Sequence, residues 1–484
     1  MTLSSDARKR LIVATASVNI GNEIADAVDE VNAPLTLYVE ITGSDVSGDG
    51  SKTNPYFSVQ KAVDAVPNLI TNPVVINVGP GTFDGFRIDN KEPGRPGTTD
   101  GSYLAIVGTL DLVTSSTTGG TVSGLVANNS TALSSFTVAG ANWTVDELKG
   151  KFIKNLTSGA TGCIPIISNT SNTVTFYAVT STFANGNIVS FVEPKTVFNS
   201  SSLTTTTNPS SSTTSQYLSN TDSAAIIRIS NCDKGYASSV STFPSLLLAN
   251  FRVTATGTTT RIRTVLSKVI IKNFITDGAG TGNQIAGGNS SLYINGWCSL
   301  GGGYSINAGT TGLTSSLDHF TINMAFVERS NALGGFFGCN SFSATDLYIK
   351  GCTTGITMQN SNYALSRTAF ESCTKAILSD QGDNYQNLFV SKLGLNGGFF
   401  NNCGTCFDFK GPHWIQTKFI GGTGNTLIAN VKQGTRFGFR SDFNPAGTTE
   451  ITMDTANATL ADVRAATPKL VNNTYGSIAY ESDY

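Results

Sequence analysis

The chain has 484 residues, of which 13% are charged, with a formal net charge of −2 and only two histidines, His319 and His413. Such a charge content is about half that of an ordinary globular protein, and no basic block supplies the roughly 6 to 10 phosphate contacts of a tight nucleic-acid binder, which argues against a nucleic-acid partner. No apolar run approaches the ~18 residues of a membrane span, and eight cysteines are too few for a disulfide scaffold of this size, so membrane insertion and disulfide stapling are not expected.

Residues 1–33 are expected to form an adaptor helix. Ile12, Ala16, Ile20, Ile24 and Val28 recur at every fourth position and make one apolar face. Ser4 or Ser5 can cap it, and Asp6 suits its positive end. The stripe fits docking to a partner or capping of a β core. Arg8, Lys9 and Arg10 precede LIVATA, which imitates a secretion signal, but the apolar region is too short for one.

Residues 34–121 open with LTLYVEITGSD, a Gly/Asp/Ser loop at 43–54, a short helix at 58–65 and a strand at 76–83 of the form I-x-V-x-P-G-x-F. This order resembles the opening segment of right-handed parallel β-helix proteins of the pectate lyase and pectin methylesterase type. The resemblance implies that the helix covers the mouth of the solenoid before the first coil.

At residues 122–198 the texture changes to Thr137, Val138, Trp143, Leu148, Phe152 and Ile153, followed by ISNTSNTVTFYAV. The stretch resembles the small β modules inserted in phage spike proteins, and Trp143 is expected in its core. Residues 199–223, with NSSSLTTTTNPSSSTTSQYLSN, are low in complexity and read as a loop.

Residues 224–440 carry the repeat. Strand cores fall at 246–248, 269–271, 292–294 and 320–322, and then LYIKGCTTGI (347–356), TAFESCTKAI (368–377) and GFFNNCGTCF (398–407) share one order of residue types. An earlier copy is ISNCDKGY (229–236). Repeats of this length with period-two strands and Gly/Asn/Ser punctuation mean one β supersecondary unit per repeat, stacked into a solenoid. At ~4.8 Å per rung, about 8 to 10 coils make a rod of about 40 to 48 Å. Aligning Cys352 with Cys373 sets Asp346 on Arg367, Lys350 on Glu371 and Ile349 on Phe370.

Cys352, Cys373 and Cys403 then share one corner, where small buried thiols stack. Cys403 and Cys406 form a C-x-x-C with no second pair at zinc spacing, so no metal and no cofactor are expected. After Asn444 and Pro445 the pattern breaks, and residues 441–484 are expected to cap the rod or to join three chains. The fold expected is therefore all-β: a right-handed parallel β-helix with an amino-terminal helix, an inserted β module and a carboxy-terminal cap or trimerising segment.

The plant-pectin motifs are absent. No Gln-Asp strand precedes the lone Asp408-Phe409, no Gly-His-Gly occurs, and no dense Asp cluster suits calcium. As a whole the chain resembles bacteriophage tailspikes and virion spikes. That resemblance implies a homotrimer in the virion, assembled in the bacterial cytoplasm, attached to tail or capsid proteins through the amino-terminal helix and facing a host surface glycan.

Two classes stay open, a spike that cleaves or deacylates polysaccharide and one that only binds or decorates. Glycosidic cleavage needs two carboxylates about 5 to 9.5 Å apart. The candidates are Asp380 and Asp383 in the loop SDQGDNY, alternatively a plain solvated turn, and Glu328, alternatively an ion-pair partner of Arg329 or another neighbour. Tyr363, Tyr385 and Trp414 are the candidate sugar platforms, or else packing residues on the coil flanks.

Overall fold

The structure is a computed structural model; it describes residues 34–70, 72–93, 103–127, 132–157, 162–177, 183–200, 225–232, 246–265, 267–279, 281–288, 290–301, 303, 306–307, 319–328, 336–337, 341–358, 362–380, 391–410, 413–431, 436–439 and 447–453. Two long sheets dominate, one of 15 strands and one of 11, and every pairing within them is parallel. Each turn of chain adds a strand to the 15-stranded sheet and then one to the 11-stranded sheet, which makes a parallel β-helix. The unbroken path of the larger sheet runs from Leu35–Val39 to Arg436–Phe439. Its length is about 50 Å at ~4.8 Å per rung.

The alternation of side chains explains why these sequences stack. In Ser341–Lys350, Phe342 and Ala344 point into the core, the chain bends at Asp346, and Leu347 and Ile349 point in again. Leu248, Ile271, Ile294, Ile322, Ala344, Leu365 and Leu395 lie in direct register through seven rungs. Ile349 lies on Phe370, which in turn stacks on Phe400 with centroids 5.1 Å apart.

The bend is itself a ladder. Asn250 (φ 62), Asn273 (φ 50), Gly296 (φ 70), Met324 (φ 55), Asp346 (φ 55), Arg367 (φ 49) and Gly397 (φ 79) all adopt the left-handed conformation at the same register position. For non-glycine residues this costs roughly 1–2 kcal/mol each. The corner offsets it with side-chain bonds: Asn273 Nδ2 donates to Asn250 Oδ1 at 3.1 Å, and Arg367 pairs with Asp346.

At this corner a second module leaves the rod. Val107 pairs with Ala249 and Thr196 with Phe251, so the chain departs at Gly108, in the register of Asn250, and returns at Thr196 one position on. Thr109 N donates to Thr196 Oγ1 at 2.8 Å, Thr196 Oγ1 donates to Gly79 O at 2.8 Å, and Lys195 N donates to Thr109 O at 2.8 Å, which ties the stem shut. Between them lies an antiparallel sheet whose order closes on itself, because Phe152–Asn155 pairs with both Ile164–Asn169 and Ile188–Pro194. Its core holds Phe136, Phe176, Phe191 and Trp143; the Trp143 ring packs edge-on to Phe191 and its Nε1 donates to Thr117 O.

This module lies along the rod. Tyr177 and Ile167 pack on Phe326, Tyr348, Ala369 and Phe399, and Phe152, Cys163 and Val192 pack on Ile275 and Cys298. At Gly296 an added Cβ would stand 3.0 Å from Cys163 O and from Asn273 Oδ1, a tight contact that glycine avoids. Strands such as Ser341–Lys350 are consequently buried on both faces over their second half, and AFV and LYI are continuous apolar runs there, followed in register by the buried Thr368, Ala369 and Phe370.

At the amino-terminal end the helix Val59–Asp64 closes the core, burying Val59, Ala62 and Val63 beneath Ser58, whose side chain accepts from Lys61 N. Gln60 bonds the exposed edge of Phe86–Asp89 through Arg87 N and O.

Three boundaries differ from the expectation. The module begins at Leu110–Leu112 rather than at 122, and Gly119 and Gly120 already lie in a strand paired with Ile188–Pro194. It ends before Thr196, where Thr196–Ser200 rejoins the rod against Gly81–Asp84 and Phe251–Thr254. At the other end Gly447–Met453 still pairs with Asn425–Val431, so the solenoid continues past Asn444 and Pro445. The expected adaptor helix, the low-complexity stretch from 201 and the tail beyond 453 lie outside the described residues.

Candidate functional site

The exposed half of the bent ladder offers a surface of one chemical kind. Between the inward-facing apolar residues, Tyr293, Thr321, Ser343 and Ala364 form one outward file, and Asn295, Asn323, Thr345, Ser366 and Asn396 form another. All are half-buried or exposed. Apart from Ala364, the residues named in these two files carry hydroxyls and amides, and Lys272 and Lys418 continue the second file on the rungs before Asn295 and after Asn396. Asn295 Oδ1 is buried without a hydrogen-bond partner. The sequence held this signal as the polar partners of the strand cores, YIN, FTIN and SAT, but their regularity emerges only when the coils are in register.

The sequence candidates fall in different places. Glu328 ends the strand His319–Glu328, and Lys149 of the inserted module holds both its oxygens, at 2.9 Å and 2.7 Å. Lys350 follows on the next rung. Glu328 is thus an ion-pair residue at the seam between module and rod. Asp380 ends Lys375–Asp380 in register with Lys410. Asp383 and Tyr385 lie outside the described residues.

Tyr363 belongs to the core: it is 3% exposed, its ring packs 5.3 Å from Phe342 and its hydroxyl donates to Thr357 O. An inward position in the alternation removes it from any sugar platform. Trp414 follows Asn362 and Lys392 in register on the ladder.

The cysteines form a second ladder. Cys373 Sγ lies 3.6 Å from Glu371 O and 3.9 Å from Ile349 O one rung back; Cys403 Sγ repeats this with Asn401 O at 3.6 Å and Phe370 O at 3.7 Å. Asn425 ends the run, its Nδ2 donating to Phe400 O at 2.7 Å while its Oδ1 accepts from Cys403 N at 2.9 Å. Hydrogen bonding to Cys352 and burial push the Cys373 thiol well above its ordinary range; bonding to Cys373 and burial do the same to Cys403. These are protonated structural thiols, not nucleophiles.

Cys232 departs from the expected equivalence. It bonds Ser230 O and Ile88 O in the same way but follows a strand of the smaller sheet, at the opposite corner, beside Ser267. A local motif of this kind fits either corner because both follow a strand and a left-handed residue, here Asn231 (φ 54).

Nothing in the residue pattern singles out Arg261. It is fully buried and donates to the carbonyls of Thr259, Ala255, Asp277, Gly278 and Gly282, filling two wide turns. Among the described residues no cluster of three or more His, Cys, Asp or Glu is arranged to hold a metal.

No family model and no curated protein matches the chain. Among solved structures, the family 28 exopolygalacturonase of Yersinia enterocolitica is 10% identical with TM-score 0.35, covering 88% of this chain and 79% of its own. A rhamnogalacturonan lyase is 10% identical with TM-score 0.33, covering 88% and 84%. The tailspike protein of Pseudomonas phage LKA1 is 12% identical with TM-score 0.24, covering 88% and 69%. Likeness at these levels carries no argument about activity. The fold rests on the two parallel ladders themselves: the chain is a parallel β-helix protein.

Proposed function

We propose that this rod binds a cell-surface polysaccharide along the outward Asn/Thr/Ser face of its larger sheet. The observation that supports this is the in-register run from Asn295 through Asn323 and Thr345 to Asn396. Hydroxyls and amides repeated at ~4.8 Å suit a chain of hydroxyl-bearing pyranoses, since each can donate and accept. A flat polar file also avoids burying charge on contact.

The finer reading is a homotrimeric bacteriophage tailspike or virion spike, anchored through residues 1–33 and facing a host glycan. Its support is architectural, a rod with one inserted module behind an amphipathic segment. The chemistry proposed for it, if the spike cleaves, places Asp380 and Asp383 as acid and nucleophile or base, with Tyr385 and Trp414 as platforms. Glu328 is less suited because Lys149 already holds it.

The test presents the whole chain to a panel of purified bacterial surface polysaccharides. Binding that Asn323→Ala weakens, with the unfolding midpoint unchanged, supports the face. Absence of binding across the panel refutes it. Reducing-end release abolished by Asp380→Asn or Asp383→Asn supports the enzymatic form, and absence of release leaves the binding spike. Sedimentation equilibrium tests the trimer.

A further inference from the structure

The charged residues of the two rod sheets follow a rule with one exception. Where two described charged residues meet in register they are opposite in sign: Glu328 on Lys350, Lys350 on Glu371, Asp380 on Lys410. At the amino-terminal end of the smaller sheet, Arg87 lies on Arg228 and Arg228 on Arg263. Three guanidinium groups thus rise along one outward file at ~4.8 Å per rung. Like charges directly opposed across a ladder destabilise it.

A neighbouring acid answers part of that charge. Asp89, on the adjacent file, pairs with Arg87 at 2.8 Å, and Arg228 Nε donates to the neutral Ser230 Oγ at 3.2 Å. Arg87 Nε is buried without a hydrogen-bond partner. Burial lowers the Arg228 pKa, Asp89 opposes that, and Arg87 and Arg263 add to it, which is the electrostatic trace of the stack.

We infer that the file Arg87–Arg228–Arg263 is a binding site for anionic groups repeated along a polysaccharide, uronate carboxylates or phosphodiesters. The planar guanidinium fork matches both oxyanions with paired hydrogen bonds. Rung spacing places one fork at each step of a polymer lying parallel to the rod axis, the direction in which the Asn/Thr/Ser face also runs. This inference rests on the reading of the protein as a polysaccharide binder, and it names the chemical class of that polymer.

The test retains the whole chain at low ionic strength on immobilised polygalacturonate, on a phosphodiester-bearing teichoic acid and on neutral dextran, with duplex DNA as competitor. Arg228→Gln is compared with Lys154→Gln, which removes the same charge from an exposed site on the inserted module. The expected result is retention on one or both anionic glycans, weakened at least tenfold by Arg228→Gln and unchanged by Lys154→Gln. Which glycan is retained distinguishes carboxylate from phosphodiester. Removing the central like charge is expected to leave the unfolding midpoint equal or higher, so a loss of retention is not a loss of fold.

Equal loss with both variants, or displacement by DNA at equal charge concentration, would overturn the inference as general polyanion attraction. Retention that responds to Asn323→Ala and not to Arg228→Gln overturns it while leaving the polysaccharide reading intact. No retention on any polysaccharide overturns both.

Discussion

Arg367 donates from Nε to Asp346 Oδ1 at 2.7 Å and from Nη2 to Asp346 Oδ2 at 2.9 Å, and both residues hold φ near +50° at the same corner of adjacent coils. Two conformations unfavourable to L-residues are thereby fixed by one forked ion pair. The Asp346 side chain is 8% exposed, so the pair is screened little on that side.

Loss of either partner should therefore cost more than a surface ion pair. Arg367→Ala leaves a buried carboxylate unpaired and keeps the left-handed strain, and about 2 kcal/mol of destabilisation is expected. Arg367→Gly removes the same pair but relaxes the backbone, so it should cost roughly 1 kcal/mol less. Urea unfolding followed by far-ultraviolet circular dichroism ranks the two. Equal midpoints for both variants would show that strain at this corner is not what the ion pair offsets.

The cysteine ladder predicts a response to alkali. The folded thiols of Cys373 and Cys403 have pKa values raised above the ordinary 9.0, and burial pushes Cys232 up to about 11. An acid whose pKa is raised by folding contributes stability that is full below the unfolded value and lost as the pH climbs above it. The thermal midpoint should hold steady to pH 9.0 and fall beyond it. Cys373→Ser keeps a donor for Glu371 O and Ile349 O but does not titrate in this range, so its midpoint should fall less steeply. Parallel slopes for the two proteins would remove the thiols as the cause.

Part of this architecture was legible in the residues alone, and the reason is local. The order apolar strand, left-handed residue, cysteine is written within ten residues of 347–356 and again of 368–377, so alignment on Cys352 and Cys373 set Ile349 on Phe370, Lys350 on Glu371 and Asp346 on Arg367. Trp143 was expected in a core and lies in that of the inserted module. The seam between module and rod was not: Lys149 and Glu328 are 179 positions apart, and nothing near either names the other. The outward polar face was hidden for the same reason, since a serine or asparagine between two apolar residues looks the same on a solvated strand and on a binding surface. For Tyr363 the sequence left a sugar platform and a packing residue equally open, and the ring occupies the inward register of Phe342.

That seam carries the last prediction. The outer face of the rod's second half presents Ile275, Cys298, Phe326, Tyr348 and Phe399, all of which the inserted module buries. Tyr177 reaches furthest, its ring 6.0 Å from Tyr348 and 5.7 Å from Phe399 by centroid, the latter edge-on. Burial of an aromatic or large aliphatic side chain is worth about 1.5–3 kcal/mol, so the apolar strip dominates, and the half-buried Lys149–Glu328 pair contributes about 1 kcal/mol and fixes the position. Tyr177→Ser should therefore release the module more than Glu328→Gln does, detected as faster hydrogen exchange in Phe326–Tyr348 backbone amides on the rod. Excision of the module between Thr109 and Lys195, with the stem rejoined by a Gly-Ser link, should leave a β-rich rod that binds hydrophobic dyes and self-associates. Replacing Phe326 and Tyr348 by Thr in that excised form should restore a monodisperse species, because Thr suits an exposed strand face. A shortened rod that stays dispersed without those replacements would mean that the module does not serve as the cover of this face.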